Sequence, residues 1–255
     1  MLSGNDFIKF ATSNDLITKR AIRETVWQYL EDRNIADFPR PVVNRIPNFK
    51  GAHEACAQIS QLDQFKSAQT VKINPDKPQQ HARYITLECG KNLLVPTPRL
   101  RNGLFNRIIP PDPRIKHILR ECSTHKGVSE YSKPVSLNEK IKIDLIIIGS
   151  VAVSTQGLRI GKGEGYADLE YAMMRELGAV SAQTPIISVV HDCQIFDDLP
   201  RNLFGIHDVT VDLIVSPTRV IECDSKMANK PEGIIWSLLS PEKIKLIPIL
   251  EKFRV

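Results

Sequence analysis

The sequence predicts an α/β fold built on a largely parallel sheet, and three observations carry that expectation. Apolar, β-branched runs recur in the second half at 144–148, 184–190 and 209–215. They do not alternate with polar residues, as strands buried on both faces require. Between the first two lies a glycine-rich stretch, RIGKGEGYAD at 159–168, followed by a helix-like segment at 169–177. Strands alternating with helices point to a sheet covered on both sides. Ligands of such sheets sit outside the carboxyl ends of strands, where the glycine-rich stretch falls.

Composition narrows the class. The 255 residues are 42% hydrophobic and 25% charged, ordinary for a soluble globular chain with a sizeable core. A net charge of +5 suits an anionic ligand without arguing for nucleic acid by itself. Cys56, Cys89, Cys122, Cys193 and Cys223 are scattered, odd in number and free of any CxxC. Such thiols suit a reducing compartment rather than a disulfide framework or zinc site. With no apolar run of 18 residues and no leader pattern, the expectation is a cytoplasmic protein without a membrane span.

In chain order, residues 1–14 read as a loose lead-in. Asp15 or Thr18 caps a helix running to about Arg33, with Leu16, Ile22, Val26, Tyr29 and Leu30 as its stripe. Lys19, Arg20 and Arg23 fall in its first turns, where cations oppose the helix dipole. They are either solvated or waiting for an anion. Three prolines make 38–47 an extended connector. A second helix is expected over 52–65, a strand at 70–73, a turn at 74–78 and a buried strand at 92–95. A break at 110–114 precedes a helix near 115–122. A last strand at 233–239 and a short helix at 241–246 end the pattern. Trp27 and Trp236, lone aromatics among apolar neighbours, read as core.

Three motifs bear chemistry. Gly161, Gly163 and Gly165 let backbone amides approach an anion, Arg159 and Lys162 add charge, and a helix N-terminus follows. The spacing matches neither the Walker nor the dinucleotide pattern, so a plain flexible loop is the competing reading. In HDCQ at 191–194, Cys193 reads as structural and Gln194 as the better ligand contact. Asp168, Asp208 and Asp212 could together hold magnesium, or Asp208 could cap a turn and Asp212 be solvated.

KRAIR at 19–23, RIGKGEGYAD at 159–168, and Gln194 with HDVTVD at 207–212 together resemble the 5-formyltetrahydrofolate cyclo-ligase family, from Lys19 to about Val215. FPRPVVNRIPNFKGA, LLVPTPRLRNGLFN and GKGEGYADLEYAMM resemble one branch of it, some members of which append an RNA-recognition domain. No RNA-recognition motif occurs in this sequence. The resemblance implies a three-layer αβα architecture of the NagB/RpiA/CoA-transferase-like kind, as one domain over 15–250. It implies ATP and Mg2+ as cofactors: ATP phosphorylates the formyl oxygen of 5-formyltetrahydrofolate, a folate amine attacks the activated carbon, and phosphate leaves as the ring closes.

By the same resemblance Lys19, Arg20, Arg23, Arg159, Gly161, Lys162, Gly163 and Gly165 contact ATP. Arg23, Tyr166 and Gln194 contact substrate, and Asp168 and Asp208 hold the metal. No catalytic residue is assigned. The chain departs from the family at Ala167, where a second tyrosine is usual, and at GSVAVS (149–154), where the strand usually ends in Pro-Gly. It also departs at KINPDKPQ (72–79), where a substrate-binding glutamate is usual and Asp76 is the nearby carboxylate. The polyphosphate side is thus expected intact and the folate side altered. The partners implied are a nucleotide and a folate or related formyl compound. The alternative is a non-catalytic, RNA-associated protein reusing the fold.

Overall fold

Uninterrupted apolar runs become the centre of an eight-stranded sheet in the computed structural model, which describes residues 17–100, 103–224 and 230–254. The strands in chain order are β1 (Thr70–Ile73), β2 (Asn92–Pro96), β3 (Phe105–Ile108), β4 (Ser132–Pro134), β5 (Leu145–Gly149), β6 (Ala152–Ser154), β7 (Arg159–Ile160), β8 (Ile186–Val189), β9 (Ile195–Phe196), β10 (Leu213–Val215) and β11 (Val220–Glu222). The large sheet runs β11-β10-β8-β5-β1-β2-β3-β4. Its five central strands are parallel, with Ile147 facing Ile187 in one register and Ile73 in the next. Antiparallel β3, β4 and β11 close the edges. A small sheet, β7-β6-β9, stands beside it.

The helices are α1 (Lys19–Asp32), α2 (Ala52–Ile59), α3 (Asp63–Ser67), α4 (Gln80–Glu88), α5 (Lys116–Ser123), α6 (His125–Glu130), α7 (Tyr166–Glu176) and α8 (Pro241–Leu246). Alternate residues of β5 feed opposite faces, as the strand period of two demands. Ile146 and Ile148 pack with Leu169 and Met173 of α7, while Leu145 and Ile147 pack with Ile59, Leu87 and Leu119. Two covered faces make the architecture α/β with three layers. A third cluster seats Ile22, Val26, Trp27 and Leu30 of α1 on Ala152, Ile160 and Phe196 of the small sheet. Among the described residues no helix is long and apolar enough to cross a membrane.

Several expectations are corrected. The helix expected over 52–65 is two, because Leu62 is extended and starts α3 afresh. At 100° per residue, Phe65 on one straight helix would point about 120° away from Ile59; the break lets both bury. The turn at 74–78 leads straight into α4, which sequence reasoning missed. The strand expected at 233–239 is instead a 3₁₀ turn at Trp236–Leu238 that packs side chains on the α7 face. Trp27 is buried, whereas Trp236 is half-buried with the Arg254 guanidinium over its ring. Asp15, Leu16 and the lead-in at 1–14 lie outside the described residues.

Candidate functional site

Helix α1 starts at Thr18, whose Oγ1 accepts a hydrogen bond from the Ala21 amide (3.1 Å). Residues four apart share a helix face, so Lys19 and Arg23 point together. Arg23 Nε donates to the Gly161 carbonyl at 2.6 Å. Lys19 Nζ lies against Asp208 Oδ1 and over the Phe204 ring. Arg20 shares the other face with Glu24, to which it donates at 2.8 Å in open solvent. The structure thus puts Arg20 outside the site.

The β6–β7 hairpin delivers the glycine stretch. Arg159 is buried and folds back to donate to the Gly149 carbonyl from Nε (3.2 Å) and Nη2 (3.0 Å), with Nη1 3.5 Å from Asp168 Oδ1. Guanidinium groups press directly on the loop backbone. A Cβ on Gly161 would come within 2.9 Å of Arg159 Nη2, and one on Gly163 within 3.2 Å of Arg23 Cζ. Gly163 (φ 101°) and Gly165 (φ 69°) occupy the left-handed region that disfavours other residues. Gly165 is the N-cap of α7 and offers no side-chain acceptor, so the first-turn amides and the helix dipole face the cleft.

The cleft lies outside the carboxyl ends of β1 and β2, where Asn74 and Thr97 line it, and has a volume of about 1630 Å³. Lys19, Arg23, Arg159, Gly161, Lys162, Gly163, Gly165, Tyr166, Asp168 and Asp208 all line it. Arg20 and Gln194 do not. Gln194 is fully buried: its Nε2 donates to the Ser150 and Val151 carbonyls, and its Oε1 accepts from the His191 amide. Every polar atom it offers is spent on backbone.

Asp168 Oδ1 accepts from the Val209 amide at 3.1 Å, which brings the α7 start beside the loop carrying Asp208. Asp208 Oδ2 accepts from the Gly205 amide at 2.8 Å, a turn cap, while its Oδ1 faces Lys19. Asp212 sits at the opposite, amino end of its strand, where it accepts from the Ile186 amide and Lys230. It is therefore no third ligand. Among the described residues no group of three His, Cys, Asp or Glu side chains converges on one point. Two carboxylate oxygen donors beside the glycine loop still fit magnesium, which commonly takes one or two carboxylates and completes its shell with water and other oxygen ligands.

Burial, then the neighbouring Arg159, pushes the Arg23 guanidinium below its usual pKa, with Asp208 and Asp168 opposing. Like charges held this close favour an incoming anion. Beneath the loop, Lys72 of β1 and Glu170 of α7 form an ion pair, and Lys72 Nζ also donates to Asn74 Oδ1 at 2.7 Å. Burial pushes both toward neutrality, lowering Lys72 and raising Glu170, while their mutual attraction resists. Buried Arg83 donates to the carbonyls of Asn74 and Asp76, shaping the segment that stands where a substrate glutamate was expected. Asp76 itself faces Lys162 at 4.0 Å.

Sequence reasoning missed Lys72, Glu170 and Arg83. A lysine inside the apolar strand TVKI was the one readable signal, since a buried charge demands a partner. At HDCQ, Cys193 lies 3.2 Å from His191 Nδ1, and burial pushes its thiol up to about 12, so it stays protonated.

Comparison with known proteins adds three findings. Residues 16–217 match the model of the 5-formyltetrahydrofolate cyclo-ligase family. Proteins called methenyltetrahydrofolate synthase domain-containing protein are similar, at 56% identity over 238 residues in Bos taurus and 54% over 238 residues in Homo sapiens. Each match covers 93% of this chain, which spans 62% of those relatives' length. The NMR structure of Aquifex aeolicus 5,10-methenyltetrahydrofolate synthetase is similar over 83% of this chain and 96% of its own, at 17% identity and a TM-score of 0.49.

Proposed function

The chain belongs to the 5-formyltetrahydrofolate cyclo-ligase family, and from that premise we propose that its cleft binds ATP with magnesium and brings the γ-phosphate to a folate or related formyl compound. The observation that carries this reading is the packing of Arg23 and Arg159 against a glycine loop whose Cβ positions they would fill, with Asp168 and Asp208 in the same cleft. Arg23, Arg159 and Lys162 neutralise the phosphates, and the loop amides and the α7 N-terminus approach them closely. Asp168 and Asp208 hold the magnesium ion, which when bound neutralises charge on the phosphate oxygens.

On the substrate side Tyr166 offers a half-buried ring at the mouth of the loop, and Asp76 a carboxylate in the same cleft. Arg20 and Gln194 have no part in this proposal. In the reaction, the γ-phosphoryl group passes to the formyl oxygen and ADP leaves, the neighbouring folate amine attacks the activated carbon and loses its proton, and the C–O bond breaks to release phosphate as the ring closes. The protein contributes mainly position and charge neutralisation.

Calorimetry of the purified chain with ATP, with and without magnesium, tests the nucleotide half. Binding that needs the metal and weakens in Lys162→Ala and Asp168→Ala is expected; no binding by the unmodified protein removes the proposal. Absorbance of the methenyl product with ATP and 5-formyltetrahydrofolate tests the chemistry.

A further inference from the structure

The segment 230–254 follows the span that the family model matches, yet it builds one wall of the cleft. It is anchored firmly. Lys230 Nζ donates to Asp212 Oδ2 and the Thr184 carbonyl, and the Ile234 amide donates to Glu176 Oε1 of α7. Ile234, Ile247, Ile249 and Leu250 are buried in the core cluster that contains Leu169 and Met173. Ser240 caps α8 by accepting from the Lys243 amide at 3.2 Å.

That cap aims Lys243 back at the glycine loop. Its Nζ donates to the Glu164 carbonyl at 2.8 Å and lies 3.9 Å from the centre of the Tyr166 ring. One ammonium therefore grips the residues on both sides of Gly165, which occupies the left-handed region and has no contact within 4 Å of its would-be Cβ. With open space at its would-be Cβ, Gly165 has no side-chain packing to fix the angle between loop and helix. The pin on its two neighbours does so instead.

We propose that Lys243 is a positioning residue of the anion loop: it fixes the Glu164 carbonyl away from the anion and holds the Tyr166 ring at the cleft edge. This deepens the nucleotide reading and rests on it only for the ligand used as probe. An ammonium on a ring face is favoured electrostatically, and more so when shielded from water. Burial also lowers the Lys243 pKa, with Glu164 opposing.

The experiment compares the full chain with Lys243→Ala, Lys243→Arg and Tyr166→Leu by hydrogen exchange, calorimetry with ATP and magnesium, and thermal unfolding. In Lys243→Ala, faster exchange confined to amides 161–168 and about ten-fold weaker ATP binding are expected, with Tm within about 2 °C of the parent. Lys243→Arg restores both. Tyr166→Leu, which leaves the Ser240 cap intact, loosens the same amides and stands in if Lys243→Ala does not fold. Unchanged exchange at 161–168 in Lys243→Ala and Tyr166→Leu, or loosening spread evenly over the sheet, overturns the assignment. If the unmodified chain binds no ATP, the nucleotide reading falls, while the exchange measurements still decide the role of Lys243.

Discussion

Lys19 Nζ lies 2.5 Å from Asp208 Oδ1, joining the first turn of α1 to a loop 189 residues later in the chain. Both side chains are mostly sheltered, at 20% and 12% exposure, so the contact is screened less than a surface pair. The ammonium occupies one side of a carboxylate proposed to hold a metal. Asp208→Asn is expected to lower the magnesium dependence of ATP binding at least about ten-fold, roughly one lost charge-assisted contact. Lys19→Met is expected to weaken ATP binding while keeping that dependence. Titrating both variants with ATP at fixed and absent magnesium separates the two effects; identical profiles would refute the division of labour.

The three loop glycines are not equivalent. At Gly163 a methyl group would meet the Arg23 guanidinium at 3.2 Å and the backbone sits at φ 101°. At Gly165 the space is open and only the left-handed backbone opposes substitution. Gly165→Ala should cost about 1 kcal/mol of stability, the ordinary left-handed penalty. Gly163→Ala should cost more and shift Arg23, lowering ATP affinity by about ten-fold or more. Chemical denaturation and calorimetry on both proteins give the comparison, and equal losses in the two would count against a guanidinium-packed loop.

Lys72 and Glu170 tie the central sheet to the helix that carries the loop, with side-chain exposures of 1% and 3%. Removing one partner leaves a lone buried charge. Lys72→Met is expected to destabilise the fold by about 3–5 kcal/mol, and Lys72→Met with Glu170→Leu to recover most of that. Urea midpoints of the single and double variants test it, and a Lys72→Met midpoint close to the parent would contradict the burial argument.

His81 and His53 stack with ring centres 3.6 Å apart on the outer face of α2 and α4. Burial, then His53, pushes His81 from 6.5 down to about 4, with Glu88 and Glu54 opposing and Arg120 assisting. Because the folded pKa is depressed, the neutral ring's contribution is complete above pH 6.5 and is lost as pH falls toward 4. The shift corresponds to about 3 kcal/mol at full burial, and to about 1 kcal/mol for this half-exposed ring. His81→Gln is expected to flatten the stability profile across that window, read from urea midpoints at pH 7.5 and 4.5. A variant with the parent's slope would show that the stack does not titrate this way.

The central strands were legible because Leu145–Gly149 and Ile186–Val189 are buried on both faces and read as unbroken apolar runs. Helix α4 was not, since Arg83 and Thr86 are buried beside Ile85 and Leu87 and leave no one-sided stripe. Residues 233–239 misled for the opposite reason: apolar side chains there face α7 while the backbone joins no sheet. In the site, motif positions found the loop and its carboxylates but could not separate Arg20 from Arg23. Helical rotation alone sends one to Glu24 in solvent and the other to Gly161. Lys243 carried no local signal, because its role exists only once the chain has folded back on itself.

The large sheet closes its own core without Ile22, Val26 or Leu30, which belong to a separate cluster. Trimming the chain through Asp32 would thus leave the packing of the main scaffold in place and remove Lys19 and Arg23 together. Anion capture thereby hangs on the seat of one helix: loosening α1 from the small sheet would withdraw both cations from the cleft while the large sheet keeps its own packing.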